Sequence, residues 1–298
     1  MFFKLPSRGT FRVNGRLLLL AAACCLNGLN PGSSAAAEPG AFSGTIVGKS
    51  ADKPVLTVKA EAKESNAFDV QVDKGDWVIA KTGRAITGKL STYDGGWRME
   101  AIWPSDGKAL GIIQTLGRRL HQDTDVRGVK AFRSIGEFIP RFALWDQTGE
   151  LFESTSLRDQ PTVINFVFTR CTQPAMCPAS TAKMKALQDA AKEAGVKLTL
   201  VSITLDPEFD TPGVCQQYLE SHGISPENFH FLTGPESIVE DLKTQLGILA
   251  TPDASLIVKH TLMTIIVDAK GKIIYQVPGS GWSVEDFIGR IKTVVSRQ

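Results

Sequence analysis

The sequence predicts an α/β layer domain preceded by a small all-β domain. Three observations carry that reading. Residues 41–104 alternate short apolar runs with turn residues, buried-type strands alternate with helical patterns from Phe138 onward, and the chain closes on a β-hairpin followed by a helix. A length of 298 residues, 43% apolar and 21% charged, with 27 Gly and 15 Pro, fits two folded domains and excludes a disordered or collagenous chain.

Residues 1–37 read as an export signal. Four spaced bases (Lys4, Arg8, Arg12, Arg16) precede the apolar stretch Leu17–Leu26, and the small residues Ala35-Ala36-Ala37 follow. The apolar stretch is too short to span a bilayer, which takes about 20 residues. The expected location is outside the cytosol, periplasmic or membrane-associated on the periplasmic side. Cys24 or Cys25 offers a site for a lipid tether, although the leucine usual three residues before a lipidated cysteine is absent. Removing this segment leaves 29 Lys and Arg against 31 Asp and Glu, so no positive footprint for nucleic acid remains.

In residues 41–104, strands are expected at Thr45–Val47, Val55–Val58, Phe68–Val72, Trp77–Ile79, Ile86–Leu90 and Trp97–Trp103, with a hairpin turn at Asp94-Gly95-Gly96. Such spacing fits a small barrel or sandwich with its tryptophans as core. Met99 is its one soft ligand, which argues against a metal site there. Residues 105–137, with Gly107, Gly111, Gly117, Gly128 and Gly136, read as a connector of one or two short helices.

Residues 138–298 open on a hairpin (Phe142–Leu144, Leu151–Glu153) and continue into the unbroken apolar strand Thr162–Phe168. Helix Pro178–Ala194 closed by Gly195, strand Val196–Leu205, helix Thr211–His222, strand Phe229–Leu232 and helix Ser237–Leu246 follow. The hairpin Thr261–Val267 and Lys272–Val277 then leads to a helix from Ser283 to Val295. This order is that of a thioredoxin-like layer fold.

Chemistry concentrates after the first of these strands, in Phe166–Pro178 (FVFTRCTQPAMCP). Cys171 and Cys177 share one turn, and Pro178 stands where a helix should begin, so Cys177 is expected at the positive end of a helix, where thiolate is favoured over thiol. Two thiolates can act as a redox pair or bind a soft metal; a permanent disulfide is the plain structural reading. His121, His222 and His230 read as structural. His260 precedes the strand whose start lies, in a thioredoxin-like sheet, beside the cysteine turn. Two sulfurs and one imidazole suit one Cu(I) ion in near-trigonal coordination, whereas structural zinc would need a fourth ligand.

These residues resemble the SCO/SenC family of copper-binding thioredoxin-fold proteins. The resemblance spans roughly Phe138 to Val295 and includes FALWDQTG (Phe142–Gly149) and VSITLDPEFDTP (Val201–Pro212). It implies copper delivery to the copper-bearing subunit of cytochrome c oxidase or another cuproprotein, or reduction of that site's cysteines. It also implies Cys171, Cys177 and His260 as copper ligands and Asp206 as a nearby carboxylate tuning the metal or partner docking. The chain departs from the family pattern in three ways: five residues rather than three separate the cysteines, Lys259 replaces an aspartate before the histidine, and a signal-like segment replaces a membrane anchor. Asp210 or Thr211 can cap the helix opened by Pro212, Cys215 reads as a small buried residue, and Met176 as loop packing with a thioether within reach.

The competing function is a thiol–disulfide oxidoreductase using Cys171 and Cys177. Disulfide-exchanging thioredoxins place a proline where this chain has Lys259-His260-Thr261, which favours the metal. A peroxidase reading fails because Thr169 lies two, not three, residues before Cys171.

Overall fold

A computed structural model describes residues 38–62, 65–128, 131–248, 250–251, 259–260 and 262–296. The expected signal and both candidate lipidation cysteines lie outside the described residues. Strands β1 (Gly40–Lys49), β2 (Val55–Ala60), β3 (Phe68–Gln71), β4 (Ala85–Tyr93) and β5 (Gly96–Pro104) form a closed barrel in the order β1-β2-β3-β5-β4, so the barrel alternative of the sequence reading is the one realised. Ile46, Leu56, Val58, Val70, Ile86 and Met99 fill its interior. β4 and β5 turn on Asp94-Gly95, with φ of 48° and 74°, the left-handed pair that a two-residue hairpin requires.

Two expectations need correction. Trp77–Ile79 is no strand but the end of helix α1 (Lys74–Ile79). Three apolar residues are too few to fix a period, and packing decides: the Trp77 indole donates to the Ser50 carbonyl at 3.0 Å while Gly75 lies against the backbone of Gly213. The connector, in turn, is one long helix, α2 (Gly107–Arg127), capped by the Asp106 side chain on the Ala109 amide at 2.9 Å and stopped at Gly128, φ 62°. Ala109, Ile113, Gly117 and Leu120 make one buried stripe, and a Cβ on Gly117 would stand 2.7 Å from Ile238 Cδ1. That glycine is a helix contact rather than a breaker.

The second domain opens on the antiparallel pair β6 (Ala143–Trp145) and β7 (Leu151–Glu153). Its main sheet has the order β10-β9-β8-β13-β14. β8 (Thr162–Val167), β9 (Thr199–Thr204) and β10 (Phe229–Leu232) run parallel, whereas β13 (Met263–Val267) and β14 (Ile273–Pro278) form the closing hairpin, β13 antiparallel to β8. Helices α3 (Cys177–Glu193), α4 (Pro212–Ser221), α5 (Glu236–Gln245) and α6 (Val284–Val295) connect and cover the sheet. All residues of β8 and β9 are buried, as their unbroken apolar runs require. A separate two-stranded pair joins β11 (Ala250–Thr251) to β12 (Lys259–His260). The thioredoxin-like α/β reading is thereby realised. No helix among the described residues is long and apolar enough to cross a membrane.

The barrel packs on the second domain mainly through α1 against α4. Asp76 of α1 is 5% exposed, its Oδ1 lacks a hydrogen-bond partner among the described residues, and its carboxyl presses on Gly213 in the first turn of α4. Burial, aided by the charge of Asp73 and opposed by Arg98, pushes its pKa up to about 7. The folded state thus retains a proton that the unfolded chain releases above about pH 4, and stability present at low pH is lost as pH rises towards 7. Chemical denaturation from pH 5 to 7 should show this as a loss of up to about 1.4 kcal/mol per pH unit. Asp76→Asn should flatten that slope, and an unchanged slope would place the titration elsewhere.

Candidate metal centre

The centre is built where β8 ends. Beyond Phe168 the chain reverses, the Cys171 amide donating to the Phe168 carbonyl at 3.3 Å, and a second turn brings the Met176 amide to the Gln173 carbonyl at 3.0 Å. Helix α3 then starts at Cys177, with Pro178 in its first turn and Met176, half-buried, as its cap position. The two turns absorb the wide spacing, leaving Thr172–Ala175 exposed and Cys171 near enough to Cys177 to push its thiol further up. Cys171 is half-buried and Cys177 fully buried; both stand as thiols. The permanent disulfide is not what the structure holds.

The expected thiolate at the helix start requires correction. Burial pushes the Cys177 thiol well above its ordinary range, outweighing the Phe168 backbone N–H that favours the charged sulfur; the neighbouring Cys171 and Asp210 push the same way. A helix end lowers a thiol pKa only where solvent or a counter-charge shares the cost of the charge, and here neither does.

Beneath the loop sits Asp210, completely buried. Its carboxylate accepts from Thr169 Oγ1 at 2.5 Å and the Thr169 amide at 3.2 Å, and from Thr204 Oγ1 at 2.5 Å, binding the cysteine loop to the end of β9. Burial raises its pKa to about 6 against the pull of these three donors. Asp210 is therefore not the cap of α4; Thr211 is, accepting from the Val214 amide at 3.4 Å. Asp206 pairs with Arg170, which precedes Cys171 in sequence, at 2.6 and 2.8 Å, and the guanidinium lies 4.3 Å from the Phe209 ring centroid. Cys215 is buried in α4, its thiol donating to the Asp210 carbonyl at 3.6 Å.

On the opposite side Ser280 Oγ donates to the Ala175 carbonyl at 3.0 Å, and Lys183 of α3 donates to the carbonyls of Ser280 and Trp282. The Gly279 amide in turn donates to the Leu262 carbonyl at 2.8 Å. With Thr264 opposite Asn165, β13 begins at the end of β8 from which the cysteine loop departs. His260 pairs with Ala250 in the strand just before it. The side chains of His260 and Lys259 lie outside the described residues, as do residues 252–258 and Thr261. Among the described residues no cluster of three His, Cys, Asp or Glu side chains forms a metal-binding group.

The remaining histidines take structural contacts. His121 bonds Asp241 of α5 at 3.2 Å, which raises its pKa, His222 bonds the Tyr218 carbonyl at 2.9 Å, and the His230 ring centroid lies 4.8 Å from that of Phe152.

Comparison with known proteins fits this geometry. The family model described as SCO1/SenC matches residues 132–296, more than half of the chain. The chain belongs to the SCO1/SenC family. It is 32% identical over 143 residues to an SCO2-like protein of Rickettsia typhi, a match covering 45% of this chain and 66% of that protein. A Stutzerimonas stutzeri protein whose name refers to copper binding is 32% identical over 115 residues, covering 38% of this chain and 54% of that one. The crystal structure of an SCO1/SenC family lipoprotein from Bacillus anthracis superposes with a TM-score of 0.51 at 27% identity, covering 55% of this chain and 99% of that one. The chain spans just under two thirds, 64 to 66%, of the lengths of the Rickettsia typhi protein and three further SCO2-like proteins of Rickettsia. All of these matches leave much of this chain uncovered, and the family model begins beyond the barrel.

Within this SCO1/SenC site, the sequence reading gave Asp210 only a capping role. Its pairing with Thr169 across 41 positions has no short-range signature. Replacing Asp210 with Ala strands the buried Thr204 hydroxyl and frees the half-buried Thr169 hydroxyl, and should cost about 1–3 kcal/mol in chemical denaturation, the cost of one orphaned buried group. It should also speed labelling of Cys177 by a thiol reagent; labelling at the wild-type rate would remove Asp210 from the support of the loop.

Proposed function

We propose that this SCO1/SenC chain binds one copper ion as Cu(I) through the sulfurs of Cys171 and Cys177 and the imidazole of His260. The observation that carries the reading is the folding of the loop into two turns that bring Cys171 back beside Cys177 despite five intervening residues. Soft sulfur donors select Cu(I), and the metal takes over the neutralisation that protons supply in the thiol state. Asp210 and the two loop turns hold the sulfurs in place, while Arg170 engages Asp206 and keeps that carboxylate in an ion pair beside the loop.

The role that follows is delivery of copper outside the cytosol, to the copper-bearing subunit of cytochrome c oxidase or another cuproprotein. Family membership supports it, together with the signal-like segment and the copper-naming relative. Half-exposed Cys171 supports a second reading. Its thiolate attacks a partner disulfide to form a mixed disulfide, and Cys177 resolves it, leaving a Cys171–Cys177 disulfide and a reduced partner.

Anaerobic titration with Cu(I) against a chromogenic chelator should give about one ion per chain. Cys171→Ser and Cys177→Ser should abolish tight binding, and His260→Ala should weaken it at least about tenfold, or 1.4 kcal/mol, with an unchanged circular-dichroism spectrum. Unaltered affinity in the histidine variant would remove His260 from the site. Retained affinity in both cysteine variants would overturn the copper reading.

A further inference from the structure

A cavity of about 340 Å³ lies between the barrel and the SCO1/SenC domain. Half-buried Trp103, at the end of β5, lines it together with the buried Trp145 of β6 and Pro207, and the exposed residues Glu208 and Glu236 border it. Neither glutamate forms an ion pair with a described residue. Ser105, also in the lining, has a buried hydroxyl without a hydrogen-bond partner among the described residues. The family match begins at residue 132, so the Trp103 wall is particular to the added barrel.

We propose that this cleft receives an arginine or lysine side chain carried by an extended segment of a partner protein. The half-buried Trp103 indole accepts both the aliphatic stem of such a side chain and, through its π face, its charge. The two carboxylates supply the matching negative charge. An anionic occupant would be repelled by the two carboxylates, and a neutral apolar one would bring no charge to match them. The volume stands at the lower end of the range for ligand sites, about 300–1,000 Å³, and suits one long side chain. Position points to a polypeptide: Pro207 and Glu208 directly follow Asp206, whose partner Arg170 adjoins Cys171, so a segment anchored here reaches towards the cysteine loop. Binding in the cleft requires no copper, and its test stands apart from that of the metal site.

The reduced, metal-free full chain is titrated with a short fluorescein-labelled peptide carrying one arginine among glycines and serines, alongside its citrulline counterpart, and anisotropy is read. The arginine peptide should bind saturably, at least about tenfold more tightly than the citrulline peptide, and less tightly as salt is raised. Glu208→Gln should weaken the arginine peptide several-fold and, combined with Glu236→Gln, about tenfold. Because Glu236 also opens α5, the Glu208→Gln variant with an unchanged melting temperature keeps the comparison clean. Equal binding of the two peptides, indifference to both substitutions, or no saturable binding would overturn the proposal. Free N-acetylargininamide binding as tightly as the peptide would reassign the cleft to a small cation and overturn the partner-segment assignment.

Discussion

The cysteine loop keeps its shape because Asp210 takes hydrogen bonds from Thr169 on one side and Thr204 on the other, clamping the ends of β8 and β9 around one carboxylate. A buried acid group is costly unless donors surround it, and here two hydroxyls and an amide do so. Its next residue, Thr211, caps α4, so the same few atoms fix the start of a helix and the base of the sulfur-bearing turn. Loop position, strand ends and helix start are one mechanical unit.

That unit extends to the barrel. Gly75 and Gly213 let α1 and α4 approach until a Cβ on Gly75 would stand 1.9 Å from the Gly213 carbonyl oxygen, and the Arg84 guanidinium reaches the Thr148 carbonyl at 2.8 Å and Glu150 beside it. The barrel therefore seats on the helix whose first turn follows Asp210. A family domain and an additional domain share the support of one site.

How far the sequence disclosed this depended on the range of the deciding interaction. Residues 138–298 were readable because their signals are local: unbroken apolar strands, Gly195 and Gly247 at positive φ after helices, and Ser283 capping α6 through the Asp286 amide. The barrel strands and the Asp94-Gly95 turn were equally plain. Failures came where partners distant in sequence overrode local preference. Gly117 suggests a break until Ile238 packs against it, and Trp77–Ile79 suggests a strand until α4 arrives. At the site, the motif located the sulfurs, whereas the protonation of Cys177 depends on desolvation by surroundings that no spacing encodes.

The two backbone turns that bracket Thr172–Ala175 have a consequence for variation. The bonds that fix the sulfurs at either end, Cys171 to Phe168 and Met176 to Gln173, are made by main-chain atoms, and Ser280 likewise holds Ala175 by its carbonyl. The four outward side chains between them thereby take no part in holding the sulfurs. Mutation can rewrite what this knuckle shows to an approaching surface while the two sulfurs stay where they are.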